Sequence, residues 1–257
     1  NMRSSNFDKY PATRIDGKLI VGWDTIVDRL QDEWGDSPVW AIDLYVGSYE
    51  EDFVEAFAAT GREIVQTRSL MIGDEAVKEL TDRFITDDVL FGYMSNIRLE
   101  EYFCEKKVEE ARSRLADGGK YVVIGTAAAR IAPSAPVAYA DMARWEIQQR
   151  FRRHEVKALG IDNSAEGPSL QYKRGYFNDW NICDAYKDEL FQLGRISFWI
   201  DHNCRACPKM ITDAQFRQGL QRTVSRPFRV VPFFDPAPWG GQWMKEVCGL
   251  DSSVENY

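Results

Sequence analysis

Pro38-Val-Trp-Ala-Ile-Asp-Leu-Tyr-Val46, followed at once by Gly47, Ser48 and Tyr49-Glu-Glu-Asp52, decides how this chain is read. Nine nearly continuous apolar residues suit a strand buried on both faces, which is the habit of parallel sheets. Gly47 breaks the run. Ser48 and Glu51 then form a capping-box pattern for a helix with Phe53, Val54, Phe57 and Ala58 along one stripe.

The pattern repeats outward from that unit. Trp23, Ile26, Val27 and Leu30 give a helix over 22–34 before the strand. After Gly61, strands are expected at 63–67, 120–125, 135–141 and 195–201. Helices are expected at 74–83, 98–116, 142–157, 169–192 (with Gly175 as an interruption) and 212–222. Strands alternating with helices predict an α/β fold, a three-layer parallel sheet with helices on both faces. The division is a 1–21 N-terminal arm, a 22–226 α/β domain, and 227–257 as linker and start of a further domain. Pro227, Pro232, Pro236 and Pro238 mark the linker.

Composition narrows the function classes. The 257 residues carry a net charge of −8, which argues against nucleic acid, whose phosphates need a basic surface. No apolar run reaches the ~18 residues of a membrane span. Five scattered cysteines in a chain with 44% hydrophobic residues read as reduced thiols of a cytoplasmic protein.

Two segments combine basic and aromatic residues: 140–153, with Arg144, Arg150 and Arg153, and 172–180, with Lys173 and Arg174. Together the five are a candidate phosphate pocket, with Tyr172 or Trp180 stacking on a base or sugar. The competing reading makes the arginines a solvated helix face paired with Glu146 and Glu155. His202-Asn-Cys204-Arg-Ala-Cys207 offers two thiols at a chelating spacing and a histidine as a third zinc ligand. No second half with matching spacing exists, and two surface-loop thiols are the plainer reading.

The order strand, Gly47, helix, strand, long helical excursion, strand, strand ending in Asp141, and Arg-bearing helix resembles P-loop nucleoside and uridine kinases. That resemblance implies a phosphate loop at 45–52 and a lid helix at 142–157. The loop departs from the pattern. It has one glycine, no lysine, and Glu50, Glu51 and Asp52 on the first helical turn, where a polyphosphate would meet repulsion. The implied fold is P-loop-kinase-like with a degenerate phosphate loop.

Segments 139–153, 172–180 and 226–251 (Phe228 to Cys248, with Trp239-Gly-Gly) resemble bacterial class I mannose-6-phosphate isomerase-like proteins. The resemblance implies a parent protein that interconverts mannose 6-phosphate and fructose 6-phosphate, with a cupin isomerase domain following in cis. Its zinc ligands would lie beyond Tyr257, so no cofactor and no catalytic residue is expected in this chain. The alternative is a pseudo-kinase module that binds a nucleotide or sugar phosphate, or a scaffold, without catalysis. Self-association, as a homo-oligomer, is left open.

Overall fold

The computed structural model describes residues 12–226, 245–249, 251 and 253. The expected linker and most of the expected cupin start, like residues 1–11 of the expected arm, lie outside the described residues. The chain divides into two compact units, Gly17–Ala214 and a second made of Asn1–Asp16 with Gln215–Tyr257.

The larger unit runs β1 (Ile20–Val21), α1 (Trp23–Trp34), β2 (Val39–Leu44), α2 (Glu50–Ala58), β3 (Glu63–Gln66), a 3-10 turn (Thr67–Leu70), α3 (Asp74–Ile85), a second 3-10 turn (Leu99–Tyr102) and α4 (Glu105–Leu115). It continues with β4 (Tyr121–Gly125), α5 (Ala128–Ile131), β5 (Val137–Asp141), α6 (Arg144–Arg152), α7 (Pro168–Arg174), a π-helical stretch (Gly175–Asp179), α8 (Trp180–Gln192), β6 (Ile196–Asp201) and β7 (Lys209–Thr212). There α9 (Asp213–Val224) begins. One seven-stranded sheet has the order β1-β7-β6-β5-β2-β4-β3. Five strands are parallel, β3, β4, β2, β5 and β6. β7 pairs antiparallel with β6, and β1 with β7. The expected wholly parallel sheet is therefore corrected to a mixed one. Two short strands of four and two residues are too brief to leave a period-2 signature.

Alternation along the strands separates two cores. Trp40, Ile42 and Leu44 of β2, Val122 and Ile124 of β4, Ala138 and Ala140 of β5, and Phe198 and Ile200 of β6 share one cluster with α1 and α2. Each helix buries one stripe: Ile26, Leu30 and Trp34 from α1, Phe53 and Phe57 from α2. Such side chains contribute roughly 1.5–3 kcal/mol each on burial. Trp40 crosses Trp34 edge-on at 5.9 Å, and its indole N–H donates to the Trp34 carbonyl at 2.9 Å, so its one polar atom is satisfied. On the opposite face of β2, Asp43 accepts N–H bonds from Ala127 and Ala129 at the start of α5 and an O–H bond from Tyr186 of α8.

Three helices depart from expectation. The capping box at Ser48 is absent: Tyr49 is the N-cap of α2 without a side-chain bond, and the Ser48 hydroxyl is buried without a partner. The segment 98–116 breaks at Phe103, which forms a bridge with Met71. The helix expected to reach 157 stops at Arg152, and His154 follows with φ 55°. Gly175 does not end the 168–192 helix but opens its π-helical stretch. A Cβ there would sit 2.8 Å from the Trp180 ring.

In the second unit, Arg222 of α9 pairs with Asp16 at 2.5 Å. The Asp16 N–H donates to Gln218 at 2.8 Å, and Gly219 gives room to Ile15.

Candidate cleft at the carboxyl ends of the strands

The chain leaves β2 toward the face covered by α2. It leaves β4 toward the opposite face, covered by α5 and α8. Where neighbouring strands send their chains to opposite faces, a crevice opens outside their carboxyl ends. Such a cleft is present, of about 480 Å³. It is lined by Leu44–Ser48 after β2, Glu50, Glu51, Val54 and Glu55 of α2, Gln66–Arg68 after β3, Thr126 after β4, and 155–160.

The Gly47 turn at its edge is filled by protein. Gly47 has φ 91°, and a Cβ there would meet Ile147 of α6 at 2.9 Å. Its carbonyl accepts from Arg150 Nη1 at 2.7 Å, and the Ser48 N–H donates to the Tyr45 carbonyl. With that N–H used inside the turn and Ile147 packed against it, the loop is not an open cradle of amides.

The polar groups of the cleft are less well matched. The Ser48 hydroxyl and Glu50 Oε1 are buried without hydrogen-bond partners. Burial pushes the Glu50 carboxyl up to about 7 against the pull of Arg68, and Glu51 adds to the rise. Arg68 itself makes no side-chain hydrogen bond or ion pair among the described residues. Lys157 is taken by Asp162 at 2.6 Å. Four carboxylates (Glu50, Glu51, Glu55, Glu155) thus face one uncommitted cation, Arg68.

The five basic residues singled out in the sequence do not line this cleft, and each has protein acceptors. Arg150 is fully buried, donating to the carbonyls of Gly47 and His202 (2.6 Å) and to Glu146, with its guanidinium 3.9 Å from the Tyr49 ring. Arg153 pairs with Glu146 and Glu155. Arg144 pairs with Asp184 and lies 5.3 Å from the Trp180 ring. Arg174 grips Glu166 and Asp82 at 2.8–2.9 Å. Lys173 donates to the carbonyls of Thr86 and Asp88. Trp180 is 2% exposed, with Arg144 near its ring, and Tyr172, which is exposed, stacks on Tyr176.

His202 does not join Cys204 and Cys207. Its ring is buried against Trp23, Tyr49 and Phe53, with Nε2 facing Asp52 at 3.2 Å. Burial, helped by Arg150, lowers its pKa to about 4. No cluster of three or more His, Cys, Asp or Glu side chains suited to a metal occurs among the described residues. No helix among them is long and apolar enough to cross a membrane.

Ser48, Glu50, Arg68 and Thr126 were not readable as a site. They come from three separated loops, and Glu50 looked like one of three dipole-satisfying acids. Asp43 carried a signal, a charged residue inside an apolar strand run.

No curated protein and no solved structure matches the chain. One family model does, over residues 22–225, more than half of the chain, and its description is a domain of unknown function, DUF8485. On that match the chain belongs to the DUF8485 family.

Proposed function

We propose that this chain is a kinase-like α/β domain that binds a small phosphorylated sugar in the cleft beyond β2 and does not transfer phosphate from a nucleoside triphosphate. The observation that carries it is the set of unmatched groups there: the Ser48 hydroxyl and Glu50 Oε1, both buried without partners, and an Arg68 side chain that makes no hydrogen bond or ion pair among the described residues. Buried polar atoms left unpaired cost about 1–3 kcal/mol each, so a ligand that satisfies them gains that difference. A protonated Glu50 donates to a ligand oxygen, Ser48 donates or accepts, and Arg68 takes a phosphate. A polyphosphate fits poorly, since Glu51, Glu55 and Glu155 line the cleft beside Glu50 and the Gly47 turn has no lysine.

The kinase-like half of the proposal is supported by element order. β2, the Gly47 turn, α2, β3, the α3–α4 excursion, β4, β5 ending in Asp141 and the Arg-bearing α6 follow one another as in the kinases the sequence resembles. The mannose-6-phosphate isomerase link rests on the sequence resemblance of 139–153, 172–180 and 226–251. It makes mannose 6-phosphate and fructose 6-phosphate the first ligands to try.

The test is a thermal-shift titration with those two sugar phosphates, ATP and UTP, with and without Mg²⁺. At a hundredfold excess over its dissociation constant a bound ligand adds about 2.7 kcal/mol. Arg68→Ala should abolish the shift. Stabilisation by ATP with Mg²⁺ and formation of ADP, or no shift with either sugar phosphate, would overturn the proposal.

A further inference from the structure

We propose that Cys204 and Cys207 are a thiol–disulfide switch on the β6–β7 turn, oxidised by low-molecular-weight disulfides and coupled through Arg205 to the start of α2. The Cys207 N–H donates to the Cys204 carbonyl at 3.1 Å, which makes the two cysteines the first and fourth residues of a hydrogen-bonded turn. Such a turn holds its end Cα atoms within about 7 Å, the upper edge of what a disulfide spans. Both thiols are free; Cys204 is exposed and Cys207 partly so, so a small oxidant reaches them. With His202 turned into the core, they lack the third ligand that a zinc site needs.

Arg205, between them, is the lever. Its Nε lies 3.0 and 2.9 Å from the two Asp52 oxygens, and Nη2 lies 2.6 Å from Asp52 and 3.5 Å from Glu51. Its guanidinium sits 4.4 Å from the Tyr49 ring. Tyr49 caps α2, and its hydroxyl donates to Glu155. Glu51 and Glu155 both line the cleft. Asp52 is 9% exposed and has His202 as its other partner.

The chemistry balances without a metal. One thiolate attacks a small disulfide, forming a mixed disulfide and expelling one small thiol. The second protein thiolate attacks the mixed disulfide, closes the 204–207 bond and expels the second small thiol. Two protein thiols are oxidised and one disulfide is reduced. A disulfide fixes the Cβ–S–S–Cβ dihedral at about ±85–100°, so closure re-sets the backbone of the turn on which Arg205 sits. A bidentate grip tolerates little displacement. Asp52 is then left in a buried place with His202 alone, and the first turn of α2 loosens.

The test equilibrates the full chain with reduced and oxidised glutathione, maps thiols by alkylation and peptide mass, and follows amide exchange over 49–53. The expected result is joint loss of alkylation at Cys204 and Cys207 through one intramolecular bond. Exchange at 49–53 should rise about tenfold as charge-assisted bonds are lost. Cys204→Ser should remove the response, and Arg205→Gln should exchange fast in both redox states. Separate glutathione adducts without a 204–207 bond, or a bond that leaves exchange at 49–53 unchanged, would overturn the switch. None of these readouts needs a ligand, so the switch and the sugar-phosphate reading fail independently.

Discussion

Replacing Asp43 with Asn tests the most heavily buried charge at the centre of the sheet. Asp43 is fully buried between β2 and the α5–α8 side, and burial raises its pKa to about 7. Bonds from Tyr186, Ala129 and Ala127 oppose the rise, as does the charge of Arg130. A carboxyl whose pKa is higher folded than unfolded stabilises the fold at low pH. That stability is full below the unfolded value near 3.8 and is lost as pH rises through about 7. A rise of about three units corresponds to up to about 4 kcal/mol. Asn cannot ionise, but it offers one acceptor oxygen to two N–H groups. At pH 5 the variant should therefore be about 1–3 kcal/mol less stable, the cost of an orphaned buried donor. By pH 8 the wild type carries its ionised carboxylate, and the gap should close or reverse. Urea denaturation at pH 5, 6.5 and 8, read by circular dichroism, gives the three differences. A gap that widens toward pH 8 would refute the argument, because it would mean the three donors outweigh desolvation and hold the group ionised.

Arg150→Ala should cost about 3–5 kcal/mol, since it strips a buried cation from Glu146 and leaves the Gly47 and His202 carbonyls unpaired; a denaturant midpoint close to wild type would show the guanidinium to be dispensable. Gly125→Ala places a Cβ 2.2 Å from Thr67 Oγ1 at φ 125°, so a loss of more than about 1 kcal/mol is expected, together with weaker sugar-phosphate binding at the adjoining cleft. Thermal melts with and without ligand read both. Asp162 is held down to about 2 mainly by Lys157, and that stability is present above pH 4 and lost as pH falls through about 2. Lys157→Met should therefore flatten the acid limb of the melting curve, and an unchanged limb would remove the pair from the account. Removing residues 232–257 should leave a cooperative unfolding transition; its collapse would refute the proposed boundary.

The parts of the fold that were legible are those with a repeating burial signal. Trp40, Ile42 and Leu44 in a run, or Ile26, Leu30 and Trp34 at helical spacing, announce their elements because each residue answers to the same layer. β7 and β1 were not legible. Lys209 and Val21 are paired by a neighbour's edge, and a four-residue strand beside a two-residue one leaves propensity nothing to sum. The partners of the basic clusters were legible only in part, for a related reason. Arg153 meets the local acids Glu146 and Glu155 that the competing sequence reading named, but Arg144, Arg150, Lys173 and Arg174 also meet partners from elsewhere in the fold: Asp184, the Gly47 and His202 carbonyls, the Thr86 and Asp88 carbonyls, and Asp82.

On the kinase-like reading proposed above, that redistribution sets how the turn after β2 would differ from a working phosphate loop. In a phosphate loop, the turn after the first strand must keep its amides and a lysine free for the ligand. Here the turn is held from outside by Arg150, whose fork reaches the Gly47 carbonyl on one side and the His202 carbonyl on the other. One guanidinium thus fixes the β2–α2 turn to the end of β6, next to Asp52 and Arg205. A loop anchored in this way cannot reshape around a triphosphate, and the acids on its first helical turn would repel one. What stays uncommitted is the side chains of Ser48 and Glu50 at the end of the same turn, and Arg68 after β3. On the proposed reading, recognition would fall to the side chains of Ser48, Glu50 and Arg68 rather than to the backbone amides of the turn, and a single phosphate with a few hydroxyls would match their number and sign.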